Sequence, residues 1–339
     1  MYADVKRLWN RIFAVLEQKL PRVLETLLGP TTEENLNNLE RLLGKPLPEE
    51  MRCSYRICNG QVVASRLLAD TRFGLFGTFS VYNYNLSEVL LPVERIIENL
   101  QRGKVNKNYV EVTDRFLHAA GPERPGQYGF SKRVCLNESG SVKVGNVFIQ
   151  VDDSEKPGAS FLFGENFIHW IHRLAIQLES PRLIIDNGAM LQFEQDPDCV
   201  QETYAVKVSV ATVFVPEFSS LGPTSPRLMF AYRVTMAMDK NKHPRHGCTL
   251  ERRHWEIVEY VSEANQRTQT VDGEAVVGYY PDIRPGGTFS YASWTPLTTR
   301  DGYMYGHFLF KNNSSGKIYD VVCPRFTFKC PEVKNFTFE

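Results

Sequence analysis

Near residue 200 the periodicity of this chain changes. Upstream, apolar residues recur at three- and four-residue spacings in stretches that alternate with short strand-like runs. Downstream, apolar and polar residues alternate almost without interruption, punctuated by turn residues. A helix buries a stripe of period 3.6 and a strand a face of period 2, so one architecture cannot serve both halves. The pattern predicts an α+β part followed by an all-β part, and 339 residues suit two cores better than one.

Lys+Arg and Asp+Glu are 39 each, so the chain has no overall charge to draw it to nucleic acid or an anionic membrane. No stretch reaches the ~18–20 apolar residues of a membrane span. The opening Met1–Trp9 does not follow the basic-then-apolar order of a secretion signal. The seven cysteines are odd in number, scattered, and include no Cys-x-x-Cys pair, which predicts buried thiols rather than a disulfide framework or zinc ribbon. These features together predict a soluble protein of the cytoplasm, the nucleus or both.

Residues 1–25 are expected to form a leading amphipathic helix, with Val5, Leu8, Trp9, Ile12, Phe13 and Leu16 on one face and Pro21 as its break. A second helix starts after Thr31-Thr32-Glu-Glu, buries Leu36, Leu39, Leu42 and Leu43, and stops at Gly44. A short helix from Glu49 ends at Asn59-Gly60, and a late one at 165–178 carries Phe167, Trp170, Ile171, Leu174 and Leu178. Residues 26–180 are expected to form the α+β domain, 181–203 a connector with a short strand at Leu183–Ile185, and 204–339 the β domain.

The order Leu-x-x-Leu-Glu-x-x-Leu-Gly, Leu-Pro, Tyr55-Arg56, Asn59-Gly60 and Gly74-Leu-Phe-Gly77 resembles the SUKH superfamily. That resemblance implies a mixed α+β interaction module and transfers no catalytic set. In the β half, Val206, Val208 and Val210 alternate along one strand and Phe230, Tyr232, Val234 and Met236 along the next. Further strands are expected at His254–Val258, Thr288–Ser293, Tyr303–Lys311, Lys317–Cys323 and Arg325–Lys329. Turns are expected at Gly222-Pro223, Pro285-Gly-Gly287 and Asn312–Gly316, which makes the whole a β-sandwich signature. The motifs Gly273-Glu-Ala-Val-Val-Gly278-Tyr-Tyr-Pro, Pro285-Gly-Gly-Thr-Phe-Ser-Tyr291 and Gly302-Tyr-Met-Tyr-Gly306 resemble the ApaG family, which implies an immunoglobulin/fibronectin-like sandwich. Ala275 departs from that family's usual middle glycine.

A SUKH domain followed by an ApaG domain, with Asp196-Pro-Asp-Cys199 between them, resembles a family of F-box proteins in its post-F-box part. The resemblance implies a non-catalytic substrate-recognition role in an SCF-type ubiquitin ligase. It implies a target protein as partner, and ligase subunits only if an F-box lies upstream of these residues. A stand-alone protein-binding module, or an ApaG-type binder of phosphate or pyrophosphate, is the alternative.

Gly273 and Gly278 are the candidate anion-binding positions, although a phosphate cradle needs N–H groups converging at a helix N-terminus, and this stretch lies in β sequence. His243, His246 and Cys248 lie close together without the fourth ligand of a zinc site. His169 and His172 lack the glutamate of a metalloprotease, and Ser139-Gly-Ser141 lacks a nucleophile elbow. No cofactor, metal or catalytic residue is therefore expected. The basic loop from Asp239 to Arg253 has the charge to attract an acidic segment. Tyr291, Trp294, Tyr303 and Tyr305 are the candidate protein-binding residues, because Tyr and Trp bury large area while keeping one polar atom paired.

Overall fold

A computed structural model describes residues 1–62, 73–82, 84–103, 108–119, 131–151, 158–222, 226–262 and 265–335. Pro223 of one expected turn lies outside the described residues. The chain divides into two compact units, Met1–Gln192 together with the segment from Pro331, and Phe193–Cys330.

In the first unit, helix α1 (Tyr2–Lys19) buries Val5, Leu8, Trp9, Ile12 and Leu16, and α2 (Pro21–Leu24) follows at once. The leading helix is thus part of this unit's core. Trp9 donates its indole N–H to Ser54 Oγ at 2.7 Å, and Arg11 grips Glu179 through two hydrogen bonds of 2.9 and 2.7 Å. Helix α3 (Glu33–Leu43) starts where Thr32 accepts from the Asn35 N–H and stops at Gly44, whose φ of 69° is left-handed. Helices α4 (Glu49–Tyr55), α5 (Val93–Arg102) and α6 (Phe167–Glu179) complete the helical set. Asn166 caps α6, and Phe167, Trp170, Ile171, Leu174, Ala175 and Leu178 are its buried stripe.

Strands β1 (Thr78–Val81), β2 (Tyr84–Leu90) and β4 (Thr113–Ala119) form one antiparallel sheet. A second sheet has the order β19-β7-β6-β5-β3, from β3 (Tyr109–Glu111), β5 (Arg133–Cys135), β6 (Val147–Gln150), β7 (Ala159–Gly164) and β19 (Val333–Asn335). The last described residues, assigned by sequence to the β domain, therefore pair in the first unit's sheet. The reason is a free edge on β7, which β19 satisfies by backbone pairing. The expected connector 181–203 also differs. It holds the hairpin β8 (Ile185–Asp186) and β9 (Ala189–Met190), turned by Asn187 and Gly188 at φ 50° and 80°, and then β10 (Val200–Thr203).

The second unit is a β-sandwich. One sheet has the order β10-β11-β12-β16, with β11 (Val206–Phe214), β12 (Leu228–Ala237) and β16 (Thr288–Leu297). The other has the order β14-β13-β17-β18, with β13 (Cys248–Ser262), β14 (Asn265–Glu274), β17 (Asp301–Asn312) and β18 (Ile318–Lys329), and β15 (Asp282–Ile283) pairs with β13. Phe230 against Phe328 at 5.2 Å and Tyr232 against Phe326 at 5.6 Å fill the space between the sheets. The two strands expected at 317–323 and 325–329 are one strand. Pro324 sits at a bulge, where Gly306 pairs with Cys323 and Met304 with Phe326, so its missing N–H costs no ladder bond. Strand β14 went unforeseen because it is polar throughout and mostly exposed, so it shows no alternation.

Candidate protein-interaction face

On β13 and β17, His254 lies opposite His307, Glu256 opposite Tyr305, and Val258 opposite Tyr303. Strand alternation turns Trp255, Met304, Phe308 and Phe310 into the core and leaves His254, Glu256, Tyr303, Tyr305 and His307 on the outer face, where Val258 is covered and only 2% exposed. At Gly306 the two strands approach so closely that any Cβ would run into the His254 carbonyl oxygen. Only glycine fits that approach, which holds its neighbours Tyr305 and His307 against β13.

The face carries a connected aromatic group. Tyr303 stacks on Tyr305 with ring centroids 6.1 Å apart and lies 5.6 Å from Tyr260. The Arg325 guanidinium sits 3.6 Å from the Tyr303 ring centroid and donates to the Tyr260 hydroxyl at 2.8 Å. The Tyr303 hydroxyl donates to Gln266 Oε1 at 3.3 Å. Tyr303 is the centre of this group, and Tyr305, which joins it through Tyr303 alone, is 40% exposed. Beside it, the imidazoles of His254 and His307 stack at 4.8 Å. Asp272 faces His254 Nδ1 at 2.9 Å, Glu256 its Nε2 at 3.4 Å, and Asp320 lies 3.8 Å from His307 Nε2. The hydrogen bond to Asp272 raises the His254 pKa above its ordinary value, against a smaller opposing effect of burial.

Glu259 anchors the platform from below. Its carboxylate accepts from the Thr298 backbone N–H, from Thr298 Oγ1 at 3.0 Å and from Arg267 Nε at 2.8 Å, so it ties the β13–β14 hairpin to the β16–β17 turn. Burial alone would raise its pKa; the Thr298 and Arg267 donors outweigh burial and lower it.

Of the four aromatic residues singled out by sequence, the structure brings together Tyr303 and Tyr305. Tyr291 is buried between the sheets, and Trp294 lies on β16 of the other sheet, half-buried 5.4 Å from Phe218. The odd residues of β16 point inward and the even ones outward, which separates that pair from each other as well as from the face. Tyr260 and Arg325 were not singled out. Tyr260 lies past the end of the strand expected at His254–Val258, and Arg325 gains its meaning only from the neighbour β17 supplies.

Gly273 lies inside β14 against the Arg253 guanidinium, which donates to the carbonyls of Glu274 and Ala275 at 2.7 and 2.6 Å. Val277 and Gly278, at φ 45° and 85°, close a two-residue hairpin turn between Val276 and Tyr279. The next element is β15, so the turn lacks the helix N-terminus on which a phosphate cradle depends. His243 Nδ1 accepts from the Arg245 N–H at 3.1 Å in an exposed turn, while Cys248 is buried at the start of β13. Among the described residues no group of three or more His, Cys, Asp or Glu is placed to hold a metal. All seven cysteines are buried, and burial pushes Cys58 up to about 12 and Cys199 up to about 11.

Comparison with known proteins matches residues 219–312 to the ApaG domain and residues 30–173 to the SMI1 / KNR4 family (SUKH-1). Over 338 residues the chain is 32% identical to F-box only protein 3 of Homo sapiens, covering 97% of this chain and 66% of that protein. The chain belongs to the ApaG family through its β half. It is 26% identical to the F-box protein SKIP16 of Arabidopsis thaliana over 97% of this chain and 79% of that relative. The β half alone is 34% identical to the protein ApaG of Methylobacterium radiotolerans, covering 39% of this chain and 94% of that protein. The chain spans about two thirds of the length of the F-box only protein 3 relatives, 66% for the human protein. The likeness to F-box only protein 3 and the ApaG domain supports a protein-interaction role, and no helix among the described residues is long and apolar enough to cross a membrane.

Proposed function

We propose that this chain is the non-catalytic substrate-recognition part of an SCF-type ubiquitin ligase and takes its target protein on the outer face of β13, β17 and β18. In this reading residues 26–180 and 204–339 act as two interaction modules, in the cytoplasm or nucleus. Contact with the Skp adaptor follows only if an F-box lies upstream of these residues. Ubiquitin transfer belongs to the ligase's other subunits, and this chain contributes proximity and orientation.

The observation that carries the reading is the Tyr260–Tyr303–Tyr305–Arg325 group. Its rings are held by Arg325 and Gln266, so little side-chain freedom is lost when a partner covers them. Pre-ordered Tyr and Arg side chains are the residue types that dominate binding energy at protein interfaces. The F-box names of the relatives supply the ligase context.

Quantitative affinity purification of the full chain, wild type against Tyr303→Ala/Tyr305→Ala, tests it. A protein should be lost at least about tenfold from the double variant, the scale expected for truncating two interface anchors. That same protein should be ubiquitylated only when the chain carries an F-box. An unchanged partner set in the double variant would refute the face, and turnover of a small molecule by the purified chain would refute the non-catalytic reading.

A further inference from the structure

At one end of the sandwich three connections meet that are far apart in sequence. Asn312, in the turn after β17, donates to the Arg245 carbonyl at 2.8 Å, and the Asn313 N–H bonds the Gly247 carbonyl at 2.9 Å. Asn313 Nδ2 also bonds Asp282 at 2.8 Å, and the Gly286 N–H reaches the Met238 carbonyl at 2.9 Å. The β12–β13, β15–β16 and β17–β18 connections are therefore one surface.

That surface has surplus positive charge. Lys242 pairs with Glu202 at 2.7 Å and Arg284 with Asp282 at 2.7 Å. Lys240, Arg245, Lys311 and Lys317 are exposed and make no ion pair with any described residue. In a chain whose net charge is zero, this is a local field rather than a reflection of composition. Directly beside it lies an apolar anchor. Tyr204, 67% exposed, meets the edge of Tyr319 at 4.7 Å, and Ile318, 51% exposed, pairs across the strand with Lys311.

We propose that this loop end is a second docking site, separate from the aromatic face, and that its occupant is an acidic peptide segment bearing one apolar side chain. The acidic residues meet the unpaired cations, and the apolar side chain covers Tyr204, while Ile318 lies beside Lys311 on the opposite face of β18 from Tyr319. A peptide fits better than a nucleic acid for two reasons. Tyr204 and Tyr319 cross at 63° and offer no flat stacking platform, and exposed Ile318 has no base-stacking role. A bare phosphate would leave the apolar anchor uncovered, and the one helical turn described there, the 3-10 turn Pro244–His246, is too short to supply a phosphate cradle.

The test is fluorescence anisotropy of the full chain with a fluorescein-labelled Glu/Asp-rich peptide containing one central Phe, with pyrophosphate and a single-stranded oligonucleotide as competitors. Binding should weaken as salt rises. Lys240→Ser/Arg245→Ser/Lys311→Ser/Lys317→Ser should weaken it about tenfold or more, as removal of four exposed charge contacts implies. Tyr204→Ala should weaken it several-fold in high salt, where the apolar contact remains, and Tyr303→Ala/Tyr305→Ala should leave it unchanged. All these positions are at least partly exposed, so thermal unfolding midpoints should stay near wild type and confirm folded variants. No saturable binding at millimolar chain, equal affinity in the quadruple variant, loss of binding in the Tyr303/Tyr305 variant, or tighter binding of the oligonucleotide or pyrophosphate would each overturn the proposal.

Discussion

Glu88 is 1% exposed, and its two carboxylate oxygens lie 2.5 and 2.6 Å from Lys132 Nζ. Arg115, its cross-strand neighbour on β4, brings Nε to 3.6 Å. Replacing Glu88 with Gln keeps the volume and removes the negative charge, so the 6%-exposed Lys132 loses the carboxylate that grips it with both oxygens. Breaking one side of a buried pair costs about 3–5 kcal/mol, because the surviving charge is desolvated without compensation. The Lys132 ammonium keeps its place against the rings of Phe163, Phe76 and Trp170 at 4.8, 5.7 and 5.8 Å. Cation–π attraction of about 1 kcal/mol offsets part of the loss. The expected outcome is a loss of about 2–4 kcal/mol by urea denaturation of the full chain. Hydrogen exchange should place that loss in the first unit. A companion variant, Glu88→Leu/Lys132→Met, should recover most of it, since apolar replacement of both partners is often neutral. Burial would raise the Glu88 pKa, but Lys132 and Arg115 outweigh it and the net shift is downward. The stabilisation is therefore present above the ordinary carboxylate pKa and disappears as pH falls through the folded value. Glu88→Gln should make the acid-side decline shallower, since the other carboxylates with lowered pKa, Glu259 among them, keep their share. A loss under ~1 kcal/mol, or an acid-side decline as steep as the wild type's, would refute the reasoning.

Trp170→Ala should cost on the order of 3–5 kcal/mol in the same denaturant assay, because it empties the site stacked 4.3 Å from Phe76. A cost below ~1 kcal/mol would contradict a buried α6 stripe. Gly306→Ala should destabilise the sandwich by at least about 1–3 kcal/mol through forced separation of β13 and β17, as overpacking does. Gly278→Ala, which meets open space but a φ of 85°, should cost about 1–2 kcal/mol from left-handed strain alone. In NMR titrations the His254 imidazole should titrate above its ordinary value, and Asp272→Asn should lower it toward 6.5. With its folded pKa raised, His254 stabilises the fold fully below the unfolded value, and the contribution is lost as pH rises through the folded one.

The fold class was legible in the residues because burial imposes its period on any chain: a stripe every 3.6 for α1, α3 and α6, and every second residue for β11, β12 and β17. The capping Thr32 and the stop at Gly44 are local events within a turn of helix, determined within a few residues. Where neighbours are brought from elsewhere, sequence alone was silent. Polar β14 is a strand only because β13 supplies its hydrogen bonds, and β19 leaves the sandwich only because β7 offers a free edge. The same holds for the interaction face. Tyr303 and Tyr305 share a strand and were visible together, whereas Tyr260, Arg325 and the stacked histidines meet through cross-strand register between β13, β17 and β18. Register joins residues tens of positions apart, and backbone pairing rather than local composition sets it, so tertiary structure alone decided which side chains form the surface.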